Sequence, residues 1–227
     1  MTVGPPLVAL ISATPAAIAA AETAFARNFP GAQLWNILDD RLLTEADTRG
    51  GLDGELRARM GRLIDHALAA GAAGVLLTCS MYAPVARARS AGKVAVLAPD
   101  DAAFERIADL APQHLLVVGS LPNALQDSCD RLRAELASRN VSVDITATLA
   151  VGAFEAVSEG DTERLFESIR DAVGDWGVSK SGPVFLAQYS LAPAATLLTH
   201  RLGLTVITGP DSAAETLRDR ISRSGDA

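Results

Sequence analysis

This sequence predicts an α/β protein made of two similar halves, each a parallel sheet covered by helices. Three observations predict it. Short apolar runs alternate with helix-length stretches along the chain, the pattern of successive βα units. The decapeptide Val75-Leu-Leu-Thr-Cys79-Ser-Met-Tyr-Ala-Pro84 is echoed by Val184-Phe-Leu-Ala-Gln188-Tyr-Ser-Leu-Ala-Pro193, identical at four of ten positions. Three blocks also recur in order: Pro15 with Pro122, Cys79 with Gln188, and the run from Val96 to Ala103 with the run from Ile207 to Ala214. Their offsets are 107, 109 and 111 residues, too regular for generic βα similarity.

The elements follow in order. Leu7 to Ile11 is a short apolar run that reads as a buried strand. Thr14 then Pro15 signals helix entry, a capping residue followed by a first-turn proline, and the helix runs to about Phe29. Gln33 to Ile37 is the second strand, and a polar loop extends from Asp39 to about Gly54. Leu56, Met60, Leu63, Ile64, Ala67 and Leu68 have helical spacing, giving an amphipathic helix over 53–70. Val75 to Thr78 is the third strand, ending at Cys79; a helix covers 83–91, and Lys93 to Leu97 is the fourth strand. Asp100 caps the next helix.

The second half restarts with a strand at 115–118 and a helix opened by Gly119-Ser-Leu-Pro122, running to about 139. A strand at 141–148 follows, then a helix over 161–175 capped by Asp161. Val184 to Ala187 is the strand that ends at Gln188. Thr205 to Thr208 is the last strand, and Pro210-Asp211 starts the last helix. The halves are assigned as 1–98 plus 208–227, carrying Cys79, and 99–207, carrying Gln188. Each is Rossmann-like, and the pair is expected to be related by a pseudo-twofold with a cleft between them. Ligands of such sheets bind beyond the strand carboxyl ends. Loops 12–15, 79–83, 119–122 and 188–192 are therefore expected to face one ligand, with helix N-termini suited to an anion such as a carboxylate.

Composition narrows the classes. At 227 residues the chain can bury a substantial core. Its net charge of −7 argues against a nucleic-acid partner, which wants a basic surface. Two cysteines set no disulfide framework and fit a reducing compartment. No basic region precedes the first apolar run, and no run approaches the ~20 residues of a membrane span, so a soluble cytoplasmic protein is expected. There is no P-loop, no G-x-G-x-x-G after a strand, no G-x-S-x-G elbow and no metal-ligand spacing.

The stretches Trp35-Asn-Ile-Leu-Asp-Asp40, Leu77-Thr-Cys-Ser80, Leu186-Ala-Gln-Tyr-Ser190 and Gly209-Pro-Asp211 resemble the aspartate/glutamate racemase superfamily, which includes hydantoin racemase, maleate isomerase and arylmalonate decarboxylase. The resemblance spans the whole chain. It implies chemistry without metal or organic cofactor at the carbon next to a carboxylate. Racemases of the group use two cysteines, one from each half. The first falls on Cys79 and the second on Gln188, whose amide has no useful acidity or basicity near neutral pH. Cys79 is thereby left as a proton donor, base or nucleophile, in a racemase or isomerase or, alternatively, in a decarboxylase; Tyr82 or Tyr189 is a further candidate for the missing acid. A carboxylate-binding protein without turnover is the rival class, and a cysteine hydrolase a weaker third. Members of the superfamily often form dimers, although no exposed apolar stripe in the sequence demands one.

A free thiol ionises at about pH 8.5, and a helix start after Cys79 is expected to lower that. The charge built beside a carboxylate must be absorbed by fixed donors. Ser12, Thr14, Ser80, Tyr82, Ser120, Tyr189 and Ser190 are the candidates, with the Gln188 NH2 holding a carboxylate or carbonyl oxygen. Plainer roles compete for several residues. Ser12 and Thr14 can cap the first helix, and Tyr82 and Tyr189 can pack at the domain interface. Asp100 and Asp211 read as caps, Cys129 as structural, and His66 as solvated beside Arg59 and Arg62.

Overall fold

The computed structural model describes residues 4–90, 92–179 and 181–225. The chain begins β1 (Leu7–Ser12), α1 (Ala16–Asn28), β2 (Gln33–Leu38), α2 (Arg41–Thr48), α3 (Gly54–Ala69), β3 (Gly74–Leu77), α4 (Ala83–Arg87), β4 (Ala95–Leu97) and α5 (Asp101–Leu110). It continues β5 (His114–Gly119), α6 (Pro122–Ser138), β6 (Asp144–Leu149), α7 (Ala153–Glu159), α8 (Thr162–Val173), α9 (Trp176–Ser179), β7 (Val184–Leu186), α10 (Ala195–Leu202), β8 (Val206–Thr208) and α11 (Gly209–Gly225). Short 3-10 helices, Ser80–Tyr82 and Tyr189–Ala194, follow β3 and β7.

Two four-stranded sheets result, ordered β2-β1-β3-β4 and β6-β5-β7-β8, with every pairing parallel. Both sheets have the same topology, as the recurring blocks predict. The chain divides into two compact units, one running to Ala102 and resuming at Ala213, the other Ala103–Ser212. The crossings lie inside helices because each first turn stays with the unit it leaves. Asp101 pairs with Arg87, and Asp211 accepts a hydrogen bond from Thr208.

β1, β3, β5 and β7 are buried on both faces, which is why they read as continuous apolar runs rather than alternating ones. In the first unit Ala9, Ile11, Val75 and Leu77 pack with Leu42, Ala46, Leu56, Met60, Ile64 and Tyr82. The opposite face meets α11: a side chain at Gly74 would come within 3.0 Å of Leu217. In the second unit Leu116, Val118, Val184 and Leu186 pack with Ala153, Phe166, Ile169 and Leu198. Leu115, Val117, Phe185 and Ile207 pack on the other side with Phe104, Ile107, Leu132 and Cys129, so Cys129 is structural.

Several local expectations change. The polar loop after Asp39 contains a helix, α2, whose Leu42 and Ala46 lie one turn apart and are fully buried. The helix after Cys79 stops at Arg87 rather than 91, β4 starts at Ala95 rather than Lys93, and β6 is Asp144–Leu149 rather than 141–148. The helix α7, which the sequence does not signal, follows Gly152, whose backbone lies in the left-handed region, φ 83°. Asp53 and Asp161 cap α3 and α8 by accepting from Leu56 N and Arg164 N at 2.8 and 3.0 Å. Asp211 is not the cap of α11. Thr208 precedes the helix, its hydroxyl accepts from Asp211 N–H, and the Asp211 carboxylate accepts from that hydroxyl at 2.6 Å.

Candidate functional site

In each sheet the strand order reverses between the two central strands, and that switch point opens at their carboxyl ends. In the first unit β1 ends at Ser12 and β3 leads through Thr78 to Cys79. Thr78 N–H continues the ladder to Ile11 O at 3.0 Å, and Thr78 Oγ1 donates to Ser12 Oγ at 2.9 Å. Ser12 is only 1% exposed and its hydroxyl accepts this bond in the interior, so it is buried and ties β1 to the segment after β3 in place of the exposed donor position expected of it. Its carbonyl accepts from Asp39 N–H at 3.0 Å, tying the end of β2 to the same point.

Cys79 follows in extended conformation, φ −118° and ψ 117°, and its side chain is half-buried. Burial pushes its thiol up. The N–H groups of Met81 and Tyr82 pull the other way, as the helix start after Cys79 predicts, while Asp100 and Asp47 add to the rise. Burial wins, so the expected lowering does not occur and the resting group is a thiol, not a thiolate. Ser80 and Thr14 are half-buried, and among the described residues neither hydroxyl makes a hydrogen bond. Thr14 does not cap α1, which begins without a side-chain cap.

Tyr82 is not a substrate donor. The 3-10 turn carries its ring inward to 0% exposure, where its hydroxyl donates to Leu42 O at 2.9 Å and is pushed up to about 12 by burial. It fastens α2 to the segment that carries Cys79. Tyr82→Phe is expected to lower stability by about 1 kcal/mol, read as a lower urea midpoint with unchanged m-value. Arg59 completes the attachment. Its guanidinium donates twice to Asp39, both at 2.7 Å, and once to Glu45 at 3.0 Å. Arg59 thus departs from the solvated face assigned to it; the fork geometry suits a carboxylate but has no signature in sequence spacing. His66 is exposed, as expected, and its ring meets Trp35 edge-on with centroids 5.3 Å apart.

In the second unit the equivalent corner is built differently. Gln188 is extended, φ −139° and ψ 141°, like Cys79. Its Oε1 accepts from Ser120 N–H at 2.6 Å and from Ser120 Oγ at 3.0 Å. A backbone N–H can only donate, so the amide orientation is fixed: oxygen toward Ser120, NH2 away from it. Among the described residues the NH2 has no acceptor. Gly119, next to Ser120, lets the first turn of α6 pack against the end of β5, since a Cβ there would lie 2.9 Å from Leu125 Cβ. Gly119→Ala is expected to cost about 1–3 kcal/mol and to loosen the Ser120–Gln188 contact, read by thermal denaturation and by the Gln188 side-chain amide resonances. Tyr189 is buried at 7% exposure, and Ser190 is half-buried with no hydrogen bond among the described residues.

His114, which the sequence leaves without a partner, faces Asp144 across β5 and β6, Nδ1 to Oδ2 3.1 Å, at the opposite end of the sheet from Gln188. Among the described residues no three His, Cys, Asp or Glu side chains gather as a metal-holding group. No helix among them is long and apolar enough to cross a membrane.

The fold recurs in solved racemases. The chain aligns with Picrophilus torridus aspartate racemase at a TM-score of 0.71, over 97% of this chain and 94% of that one, with 13% identity. It aligns with Klebsiella pneumoniae allantoin racemase at 0.70, over 96% and 88%, with 17% identity. Against a glutamate racemase isoform of Bacillus anthracis the TM-score is 0.67, over 97% and 83%, with 13% identity. No family model and no curated protein sequence matches the chain. The chain therefore shares the fold of these solved aspartate, allantoin and glutamate racemases.

Proposed function

We propose that the protein is a cofactor-independent enzyme of the racemase type that works at the carbon next to a carboxylate, with Cys79 as its one proton-transferring side chain. The observation that carries this reading is the contrast between the two switch points. One ends in a thiol kept protonated by burial; the other ends in an amide whose oxygen is taken by Ser120 and whose NH2 remains to donate. In this reading Gln188 binds a carboxylate or carbonyl oxygen. Thr14, Ser80 and Ser190, with the adjacent backbone amides, help absorb the charge that develops, while Ser120, whose N–H and hydroxyl both donate to Gln188, orients that amide instead of donating to the substrate.

Two-sided racemisation needs an acid or base on each face of the carbon. The second unit's carboxyl-end segments offer Tyr189, which is buried, and Asp211, which is held by Thr208 at the start of α11. Proton delivery is therefore one-sided. Exchange or isomerisation fits the names of the neighbouring structures. Decarboxylation is the second reading, favoured by the resting thiol. There the C–C bond to the leaving carboxylate breaks, carbon dioxide departs, the electron pair stays on carbon, and the Cys79 S–H proton goes to that carbon. Solvent then reprotonates the thiolate.

The test is proton NMR in D2O with amino acids, hydantoins, maleate and substituted malonates, wild type beside Cys79→Ala. Deuterium on the carbon next to the carboxylate, lost in the variant, is the expected result. Saturable binding without exchange, carbon dioxide release or maleate conversion would instead identify a carboxylate-binding protein.

A further inference from the structure

Three of the four segments that leave the carboxyl edge of the second sheet carry no charge; the fourth, after β8, carries only the anionic Asp211, which accepts from Thr208. Residues 119–125, 148–154 and 187–197 contain no Asp, Glu, Lys, Arg or His. Their backbones are neighbours. Gly119 lies opposite Leu149 in the β5–β6 register, Ala150 N–H donates to Gly119 O at 2.9 Å, and Ser120 holds Gln188. Four large apolar side chains stand exposed on these segments: Leu121, Leu149, Val151 and Phe154, at 40, 36, 86 and 47%. Only Leu38, Leu110 and Leu202 are comparably exposed elsewhere among the described residues, so the apolar surface is concentrated where the Gln188 amide is.

This composition discriminates between ligands. One carboxylate finds a neutral donor in the Gln188 NH2 and the N-terminal end of α6. A second carboxylate would find no cation on these segments and would lose water against leucine and valine. An alkyl or aryl group would instead gain by leaving water.

We infer that the substrate carries an alkyl or aryl group on its reacting carbon, seated against Leu121, Leu149, Val151 and Phe154, rather than a charged arm such as the side-chain carboxylate of a dicarboxylic amino acid. This rests on the reading of Gln188 as the carboxylate binder.

The experiment is calorimetric titration of the full chain with acetate, butanoate, hexanoate and phenylacetate, against succinate and glutamate. Affinity is expected to rise about three- to fourfold per added methylene that is buried, with succinate and glutamate weaker than butanoate. Leu149→Gln and Val151→Asn, both at exposed positions, are expected to lower phenylacetate affinity at least fivefold and to move acetate less than twofold. A flat alkyl series, tighter glutamate or succinate, no effect of either variant, or no saturable binding by any member would each overturn the inference. Failure of the enzyme reading looks different. Apolar preference without deuterium exchange would defeat the catalytic role of Cys79 and leave the ligand class standing. Exchange confined to dicarboxylates would do the reverse.

Discussion

Cys79→Ala is expected to lower turnover by about 10²–10⁴-fold, the usual worth of a positioned acid, while substrate binding changes by less than about threefold. The variant removes a half-buried side chain whose thiol meets, among the described residues, only the backbone amides of Met81 and Tyr82 as hydrogen-bond partners, so the fold should persist. The pH profile separates the possible roles. Burial raises the thiol above its ordinary value, so the protonated form is present throughout the neutral range and is lost only as pH rises through that elevated value. A thiol acting as proton donor therefore gives a rate that is flat near neutrality and falls in alkali. A thiolate acting as base or nucleophile gives a rate that climbs with pH over the same interval. Steady-state rates from pH 6 to about 10 decide between them.

Gln188→Glu is expected to raise KM for a carboxylate about 100-fold, with circular dichroism and melting temperature little changed. The substitution keeps an acceptor for Ser120 N–H and hydroxyl, and such donors bind a carboxylate at least as well as an amide oxygen. It removes the NH2 donor and sets a negative charge where the substrate's own is proposed to sit. Two like charges about 4 Å apart repel by up to about 4 kcal/mol at an effective dielectric near 20, which makes a hundredfold loss a moderate figure. Gln188→Leu should fall between wild type and this variant, because it loses the donor without adding charge. Equal affinities in all three would remove Gln188 from carboxylate binding.

The sheet pattern was legible because the central strands are buried on both faces and announce themselves as apolar runs. The matching of Cys79 with Gln188 was legible because both follow such a run and precede a proline-marked helix start. The bonds within each corner were not. Ser12 and Thr78 are 66 residues apart, and Ser120 and Gln188 are 68 apart, so each pairing comes from strand register and not from local spacing. Tyr82 illustrates the same gap: its position three residues after Cys79 suggested a site residue, and only the 3-10 turn sends it into the core toward Leu42. Helix α2 has little sequence signature because its apolar face is short, Leu42, Leu43 and Ala46 among polar and charged residues. The Cys79 thiol was expected to be acidified by the following amides. Those contacts exist, but the desolvation around Cys79 outweighs them, a balance that depends on packing and cannot be read from sequence order.

The most direct test of the one-cysteine account is the stereochemistry of solvent deuterium incorporation, followed by NMR with a single enantiomer of a substrate identified by the titrations above. One deuterium entering with retained configuration, or with a single configuration after loss of carbon dioxide, and disappearing in Cys79→Ala, is the predicted outcome. Deuterium appearing with equal amounts of both enantiomers would contradict it, because inversion requires a second acid or base on the opposite face, a role the Gln188 amide cannot fill.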